Sequence, residues 1–371
     1  MKQTLLLKVT LLSLFLFLLV VGMIYGQGFL VPVLFAALLS LLLLPLSKKI
    51  KRFVHNETLS IILSLFVFII IICGLSYFIS TQVSNIISDY DTIQAKLQEK
   101  LQMAQSSVNQ YTGMSENEQE AWFDKESEQL LKSGFEKSAS LLMGVGNFVF
   151  GLTLVIIYTF FFLTYRGKIK EFILSLTPED KHEKVILNLD KVKALVLHYL
   201  TGLLIALTII GVMNAVGLTV LGIKHGLFLG LLAGFLNIIP YIGSFVGASL
   251  PIIMALIYKD SMWYAVGVLG IFMFNQFIDN NITTPSVVGG HVRLNSLATI
   301  FIVIIGGMIW GVGGMVLFIP LLGIFKIVCD HVEALRPLSI LLSDDEKEGE
   351  SVFKKFFKKI FKNKKHMKIT S

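Results

Sequence analysis

Five amide and carboxylate side chains gather where an apolar run of the chain ends, in FNQFIDNNITTP at 274–285. They are Asn275, Gln276, Asp279, Asn280 and Asn281. Asn275 and Asp279 are four residues apart, so a helix presents both on one face. Ionisable and amide groups this close to a membrane segment are candidates for binding an ion or a polar solute. An ordinary helix end with a capping turn is the alternative interpretation.

A second polar interruption lies inside a long run without charged residues, GLFLGLLAGFLNIIPYIGSFVGASLPIIMAL at 226–256. Its polar and bend-forming residues are Asn237, Pro240, Tyr241, Gly243 and Ser244. The proline removes a backbone donor and the glycine allows a bend. We predict two half-helices, 226–238 and 244–257, that form a re-entrant hairpin with a polar tip. Such interrupted segments indicate transporter binding sites, whereas a proline-kinked helix is the alternative.

A third interruption is rich in glycine and lies within the apolar run 297–320, in GGMIWGVGG at 306–314. Glycines weaken a helix, so we predict a second hairpin over 297–325, although small residues at this spacing also serve plain helix packing. We expect one site between the three interruptions. Its predicted residues are Asn237, Pro240, Tyr241, Gly243, Ser244, Asn275, Gln276, Asp279, Asn280, Pro285, Gly307, Gly311 and Gly314.

The composition indicates a membrane protein. Of the 371 residues, 54% are hydrophobic and only 15% are charged, and the mean hydropathy is +0.76. Several apolar runs approach the ~20 residues that cross a bilayer as a helix. We therefore predict an all-α polytopic membrane protein with about six full transmembrane helices, two re-entrant helical hairpins and a helical extramembrane insert.

The distribution of apolar, acidic and basic residues predicts five segments of the chain. Transmembrane helices occupy 1–80, an acidic helical insert follows at 81–140, and further transmembrane helices at 141–221 carry a cytoplasmic linker at 166–194. A core with broken helices occupies 222–340, and a basic tail occupies 341–371. Basic residues at 48–52 and 166–170 place these loops in the cytoplasm by the positive-inside rule. Both termini are then cytoplasmic in a bacterial inner membrane.

The tail is predicted to lie on the membrane surface. Residues 351–371 hold eight lysines and no acid, which exceeds the net charge of +7 of the whole chain. The positive charge therefore belongs to this tail and indicates no nucleic-acid partner. Apolar residues recur at helical spacing between the lysines, as in an interfacial helix on an anionic leaflet. The predicted surface residues are Lys354, Lys355, Phe356, Phe357, Lys358, Lys359 and Phe361.

These motifs in combination resemble the AI-2E transporter family, a group of bacterial membrane proteins also called PerM-like permeases. The matching pieces are NIIPYIG with Pro251 downstream, the polar run from Gln276 to Gly289, and the glycines at 306–314 with Ile319-Pro320. The resemblance covers about 5–340. One departure is that Leu294-Asn295-Ser296 stands where the family commonly has an L-x-P sequence.

The resemblance implies two re-entrant hairpins, an elevator-like core, a homo-oligomer and transport. Family members are linked to export of autoinducer-2 and to exchange of Na⁺ or Li⁺ for H⁺. We expect a secondary transporter of a small polar solute or ion, with Asp279 as the coupling group. A Na⁺(Li⁺)/H⁺ antiporter and a non-transporting scaffold remain alternatives. No H-E-x-x-H, G-x-S-x-G or P-loop motif indicates an enzyme, and we expect no cofactor and no bound metal.

Overall fold

The computed structural model describes residues 2–89, 92–96, 99–100, 149–239, 242–287 and 294–343. Within these ranges the chain forms helices and turns, and its only β-type contact is one isolated bridge between Leu294 and Ser343. The helices are α1 (Lys2–Tyr25), α2 (Gln27–Val54), α3 (Glu57–Ser88), α4 (Val149–Thr164), α5 (Arg166–Ser175), α6 (His182–Val220), α7 (Gly226–Leu236), α8 (Ile242–Tyr258), α9 (Trp263–Ile278), α10 (Thr284–Val287), α11 (Ser296–His331) and α12 (Arg336–Leu342). The predicted all-α polytopic class is confirmed.

Four segments among the described residues are long and apolar enough to cross a bilayer, namely α2, α3, α6 with its preceding turn, and α11. The pair α4–α5 becomes a fifth if it is counted as one span, although the two helices are bent by 66°. The predicted number of six full spans therefore stays a prediction. Residues 101–140 of the predicted insert and the whole predicted surface set from Lys354 to Phe361 lie outside the described residues.

The first hairpin consists of α7 and α8 and matches the two half-helices predicted from the sequence. The 11 residues of α7 extend about 16 Å at 1.5 Å per residue, which is too short for a hydrocarbon core of about 30 Å. Gly247 of α8 packs against Ala233 of α7. The Lys224 ammonium lies 3.5 Å from the Tyr258 hydroxyl, so both open ends of the hairpin lie together.

The second hairpin lies within α11, whose 36 residues would be long enough for a single crossing. The helix breaks at Trp310 and at Gly311, where φ is +60° and ψ is −143°, a conformation that glycine adopts without steric cost. Beyond the break the chain returns, because the backbones of Gly306 and Gly314 are in direct contact. The chain also returns to the start of α11 after this helix has ended. The backbone N–H of Asn295, directly before α11, donates to the Leu342 carbonyl oxygen at 3.0 Å.

Asn295 begins α11 with a hydrogen-bonded cap, and Ser296, the first residue of the helix, stands where the family's L-x-P sequence has its proline. The Asn295 side-chain oxygen accepts a hydrogen bond of 2.6 Å from the Ala298 backbone N–H, which is an N-cap. Its amide nitrogen donates to the Leu341 carbonyl oxygen at 2.6 Å. The start of the second hairpin is therefore fixed by hydrogen bonds to the end of α12.

Helix α6 joins two separate apolar clusters. One cluster contains Leu218 of α6, Phe228 of α7, Ala255 of α8 and Val268 of α9. The other joins Leu38 of α2 and Val196 of α6 to residues of α11. The two hairpins therefore pack against different parts of α6. A third cluster, of α2, α3 and α4, contains no residue of α6 to α9.

Candidate functional site

The tip of the first hairpin meets the end of α9 through polar side chains. The Asn237 amide nitrogen lies 3.3 Å from a carboxylate oxygen of Asp279. The Ser244 hydroxyl lies 2.8 Å from the Asn237 side-chain oxygen and 2.6 Å from the Gln276 side-chain oxygen. Four residues that are up to 42 positions apart along the chain thus form one hydrogen-bonded group, which we call the tip network. Two of the three predicted interruptions therefore come together.

Gly243 allows the tip to form. A Cβ atom at this position would lie 1.9 Å from the Leu236 carbonyl oxygen, so only glycine lets the start of α8 pass so close to the end of α7. This approach places Ser244, the next residue, within reach of Asn237. Pro240 and Tyr241, which we also predicted for the site, lie outside the described residues.

Asp279 is the acidic group of the network. It is 5% exposed and begins a π-helical turn, Asp279–Thr283, at the end of α9. The wider turn places Thr284, five residues on, so that its hydroxyl donates to the second carboxylate oxygen at 3.0 Å. Such π-turns frequently mark functional sites. Among the described residues, no lysine, arginine or histidine pairs with this carboxylate.

This environment makes the charge of Asp279 costly. Two neutral donors, from Asn237 and Thr284, stabilise the carboxylate, but a charge buried without a counter-charge is unfavourable. Uptake of a proton or approach of a cation would remove that cost. The geometry therefore suits a carboxyl group that changes its charge state when a proton or a cation binds.

Ser244 leaves one hydrogen-bonding group of the network unmatched. A hydroxyl has one hydrogen, yet two amide oxygens, of Asn237 and Gln276, lie within 2.8 Å of it. The second oxygen can be matched by a rotated amide or by a donor from a bound molecule or water. The Gln276 amide nitrogen is itself directed at the Asn280 side-chain oxygen, 3.1 Å away. The site thus offers oxygen atoms to a cation or to a hydroxyl-bearing solute.

A second polar pair lies beside the tip network and joins Asn275, a predicted site residue, to Asn214, which was not predicted for the site. The Asn275 amide nitrogen donates to the Asn214 side-chain oxygen of α6 at 2.8 Å, and the two residues are 5% and 3% exposed. Both line a cavity of about 10 Å³ together with Asn237, Ser244 and Gln276. This volume is close to the minimum that holds one water molecule. The cavity is therefore too small to hold a solute larger than water.

The glycines of the third interruption lie elsewhere. The Trp310 indole N–H at the second tip donates to the Met23 carbonyl oxygen at 2.8 Å, and Gly313 lies beside Val31 and Phe35 of α2. No hydrogen bond within the described ranges joins this tip to Asn237 or Asp279. Our expectation that Gly307, Gly311 and Gly314 share the site is therefore not supported, because the second tip is apolar and packs on α1 and α2.

The two remaining predicted residues lie at the edge of the site. Asn280 is exposed, and within the described part of the chain its hydrogen bond to the tip network is the one from the Gln276 amide nitrogen. Pro285 lies in the short helix α10 that follows the π-turn. No hydrogen bond among the described residues joins Asn280 to Asn237 or Ser244.

Comparison with known proteins supports the membrane assignment. The chain is 28% identical to YueF of Bacillus subtilis (strain 168) over 312 residues, which cover 80% of this chain and 82% of YueF. It is 29% identical to YrrI of the same organism over 167 residues, 45% of this chain and 47% of YrrI. Both are named as candidate transport proteins.

A third relative carries a substrate in its name. The chain is 34% identical to the AI-2 transport protein TqsA of Escherichia coli (strain K12) over 152 residues, 41% of this chain and 44% of TqsA. The matches to YrrI and TqsA thus span less than half of those proteins. The family model described as AI-2E family transporter matches residues 12–334, most of the present chain. The chain therefore belongs to the AI-2E family of transporters.

Proposed function

We propose that this protein is a secondary transporter that moves a small polar solute or ion across the bacterial cytoplasmic membrane. The observation that carries the proposal is the hydrogen-bonded contact between a broken apolar hairpin and a buried acid, Asn237 to Asp279. Discontinuous helices with polar tips are where secondary transporters bind their substrates. Family membership supports transport, and the basic residues at 48–52, in the last turns of α2, and at 166–170, in α5, support cytoplasmic termini.

Asp279 is the proposed coupling group. Its carboxylate has only neutral hydrogen-bond partners among the described residues, so its protonation state responds to what else occupies the site. The amide and hydroxyl groups of Asn237, Ser244 and Gln276 would bind the cargo. A neutral solute with hydroxyl groups suits them, since TqsA, which is 34% identical over its matched part, is named for AI-2 transport.

A cation antiporter is the less favoured candidate. Cation sites in membranes usually use more than one buried acid, and between 261 and 329 the sequence contains only Asp279.

The family resemblance implies that transport proceeds by an elevator-like displacement of the core.

Flux in proteoliposomes tests the proposal. The purified full-length chain is reconstituted with a pH-sensitive dye inside the vesicles, and Na⁺, Li⁺ and autoinducer-2 are supplied side by side as gradients. We expect autoinducer-2 to move with a coupled pH change. Cation-dependent proton movement without solute flux would favour the antiporter, and no flux of any of the three above empty vesicles would contradict transport of these cargos.

A further inference from the structure

A large apolar groove lies between α3 and α4, away from the tip network. Its volume is about 440 Å³, and it is lined only by apolar side chains, among them Ile62, Phe66, Ile69, Ile157 and Phe161. In a membrane protein such a groove contacts acyl chains or another apolar surface and does not contact water. The residues at the end of the groove near Tyr165 distinguish between these two occupants.

The groove leads to an elbow where the chain leaves the bilayer. At Tyr165 the helices α4 and α5 meet at 66°. Helix α5 exposes Ile169 and Phe172, and Leu176, directly after its end, is exposed at the same helical spacing; the exposed lysines of α5 flank this face. A helix with this pattern lies in the membrane interface. The elbow therefore marks the level of the lipid headgroups.

Aromatic rings connect the groove to a cation at the elbow. Phe161, which lines the groove, stacks on Tyr165 with ring centroids 6.0 Å apart and planes inclined by 11°. The Lys168 ammonium lies 5.5 Å from the centre of the Tyr165 ring. Ile156, deeper in the groove, is nine residues before Tyr165, about 14 Å along a helix. The groove can therefore hold an apolar chain while Lys168, at its end, lies where a charged headgroup would be.

The charges at the elbow are only partly neutralised. Glu57 at the start of α3 forms ion pairs with Lys51 at 2.6 Å and with Arg166 at 2.5 Å. Within the part of the chain that the structure describes, Lys168 and Lys170 of α5 pair with no carboxylate. Two ammonium groups are therefore left for an anion at the membrane surface.

We propose that an anionic phospholipid docks at this elbow, with an acyl chain in the α3–α4 groove and its phosphate at Lys168. A second copy of the chain would fill the apolar groove but would leave the lysines unmatched, whereas an anionic phospholipid satisfies both. A neutral phospholipid would share the acyl contact but carries no net charge to hold at the lysines. This site is independent of the transport proposal, because none of its residues belongs to the tip network.

Native mass spectrometry of the full-length protein tests the site. Palmitoyl-oleoyl phosphatidylglycerol and phosphatidylcholine are added separately, and the fraction of protein that retains lipid is measured. We expect the wild type to retain more phosphatidylglycerol. Lys168→Glu should weaken that retention by about fivefold or more, the effect of one lysine at an anionic surface. Ile157→Trp should lower retention by filling the groove, and Lys184→Glu on exposed α6 surface should change nothing.

Three results would overturn the proposal. The first is equal retention of the two lipids by the wild type. The second is unchanged phosphatidylglycerol retention in both Lys168→Glu and Ile157→Trp. The third is an oligomer that loses subunits in Ile157→Trp without lipid, since the groove would then hold a second copy. Lys168 is exposed, and a glutamate in the first turn of α5 suits the helix dipole, so the variant is expected to fold.

Discussion

The close approach at Gly243 gives a prediction with opposite outcomes for two similar substitutions. In Gly243→Ala the new methyl group would lie 1.9 Å from the Leu236 carbonyl oxygen, where side-chain atoms essentially never approach within 3.0 Å. The ends of α7 and α8 must therefore separate by about 1 Å or more. Overpacking of this kind typically costs about 1–3 kcal/mol. Gly270→Ala in α9 is the matched control, because nothing lies within 4 Å of its added methyl group.

The shift at Gly243 would also weaken the tip network. Ser244 is the next residue, and its contacts of 2.6 Å and 2.8 Å would lengthen toward the limit at which hydrogen bonds act. We expect Gly243→Ala to lower both the melting temperature in detergent and the flux in proteoliposomes, whereas Gly270→Ala should keep both. Wild-type stability and flux in Gly243→Ala would refute the close approach of the two helix ends and the role that we give the tip.

Three further predictions concern the buried amide pair, the second tip and the open end of the first hairpin. Asn275→Leu should destabilise the protein by roughly 1–3 kcal/mol in chemical unfolding, because Asn214 loses its partner, and adding Asn214→Leu should recover most of that loss; additive losses would contradict the pairing. Gly311→Ala should cost about 1–3 kcal/mol of stability, since φ of +60° with ψ of −143° suits only glycine; an unchanged melting temperature would contradict the reversal at this residue. Lys224, and after it His225, hold the pKa of the Asp89 carboxyl below its ordinary value. The ion pairs of Asp89 with these two residues should therefore be complete above about pH 4 and be lost as the pH falls further. Protection of the backbone amides at 222–225 against hydrogen exchange, taken relative to the intrinsic rate at each pH, should fall in acid, and protection that does not fall would contradict these ion pairs.

The first hairpin and its polar neighbours could be predicted from the sequence because the signals are local. Pro240, Gly243 and the run from Asn275 to Asp279 each interrupt an apolar segment within a few residues. The reversal at Gly311 was predicted on the same basis. In both cases the residues at the break itself, proline, glycine or polar side chains, indicate that the helix is interrupted.

Partners that are distant along the chain could not be predicted. Asn214 lies 61 residues before Asn275, and nothing in its own segment distinguishes it from other polar residues of a membrane helix. The second tip was expected beside Asp279, but Trp310 finds its partner at Met23, 287 residues away. Which helix a broken segment packs against depends on tertiary contacts that neither the glycines nor the prolines encode.

The charge of Asp279 is the most direct test of the transport mechanism. Asp279→Asn keeps an oxygen that can accept from Asn237 or Thr284 but removes the titratable group. Asp260→Asn is the control, because Asp260 is exposed and pairs with Lys100 at 3.2 Å, away from the tip network. Membrane insertion and the melting temperature are measured beside the coupled flux in proteoliposomes. We predict that Asp279→Asn inserts normally and shows no coupled flux, whereas Asp260→Asn transports like the wild type. Wild-type coupled flux in Asp279→Asn would remove this carboxylate from the mechanism.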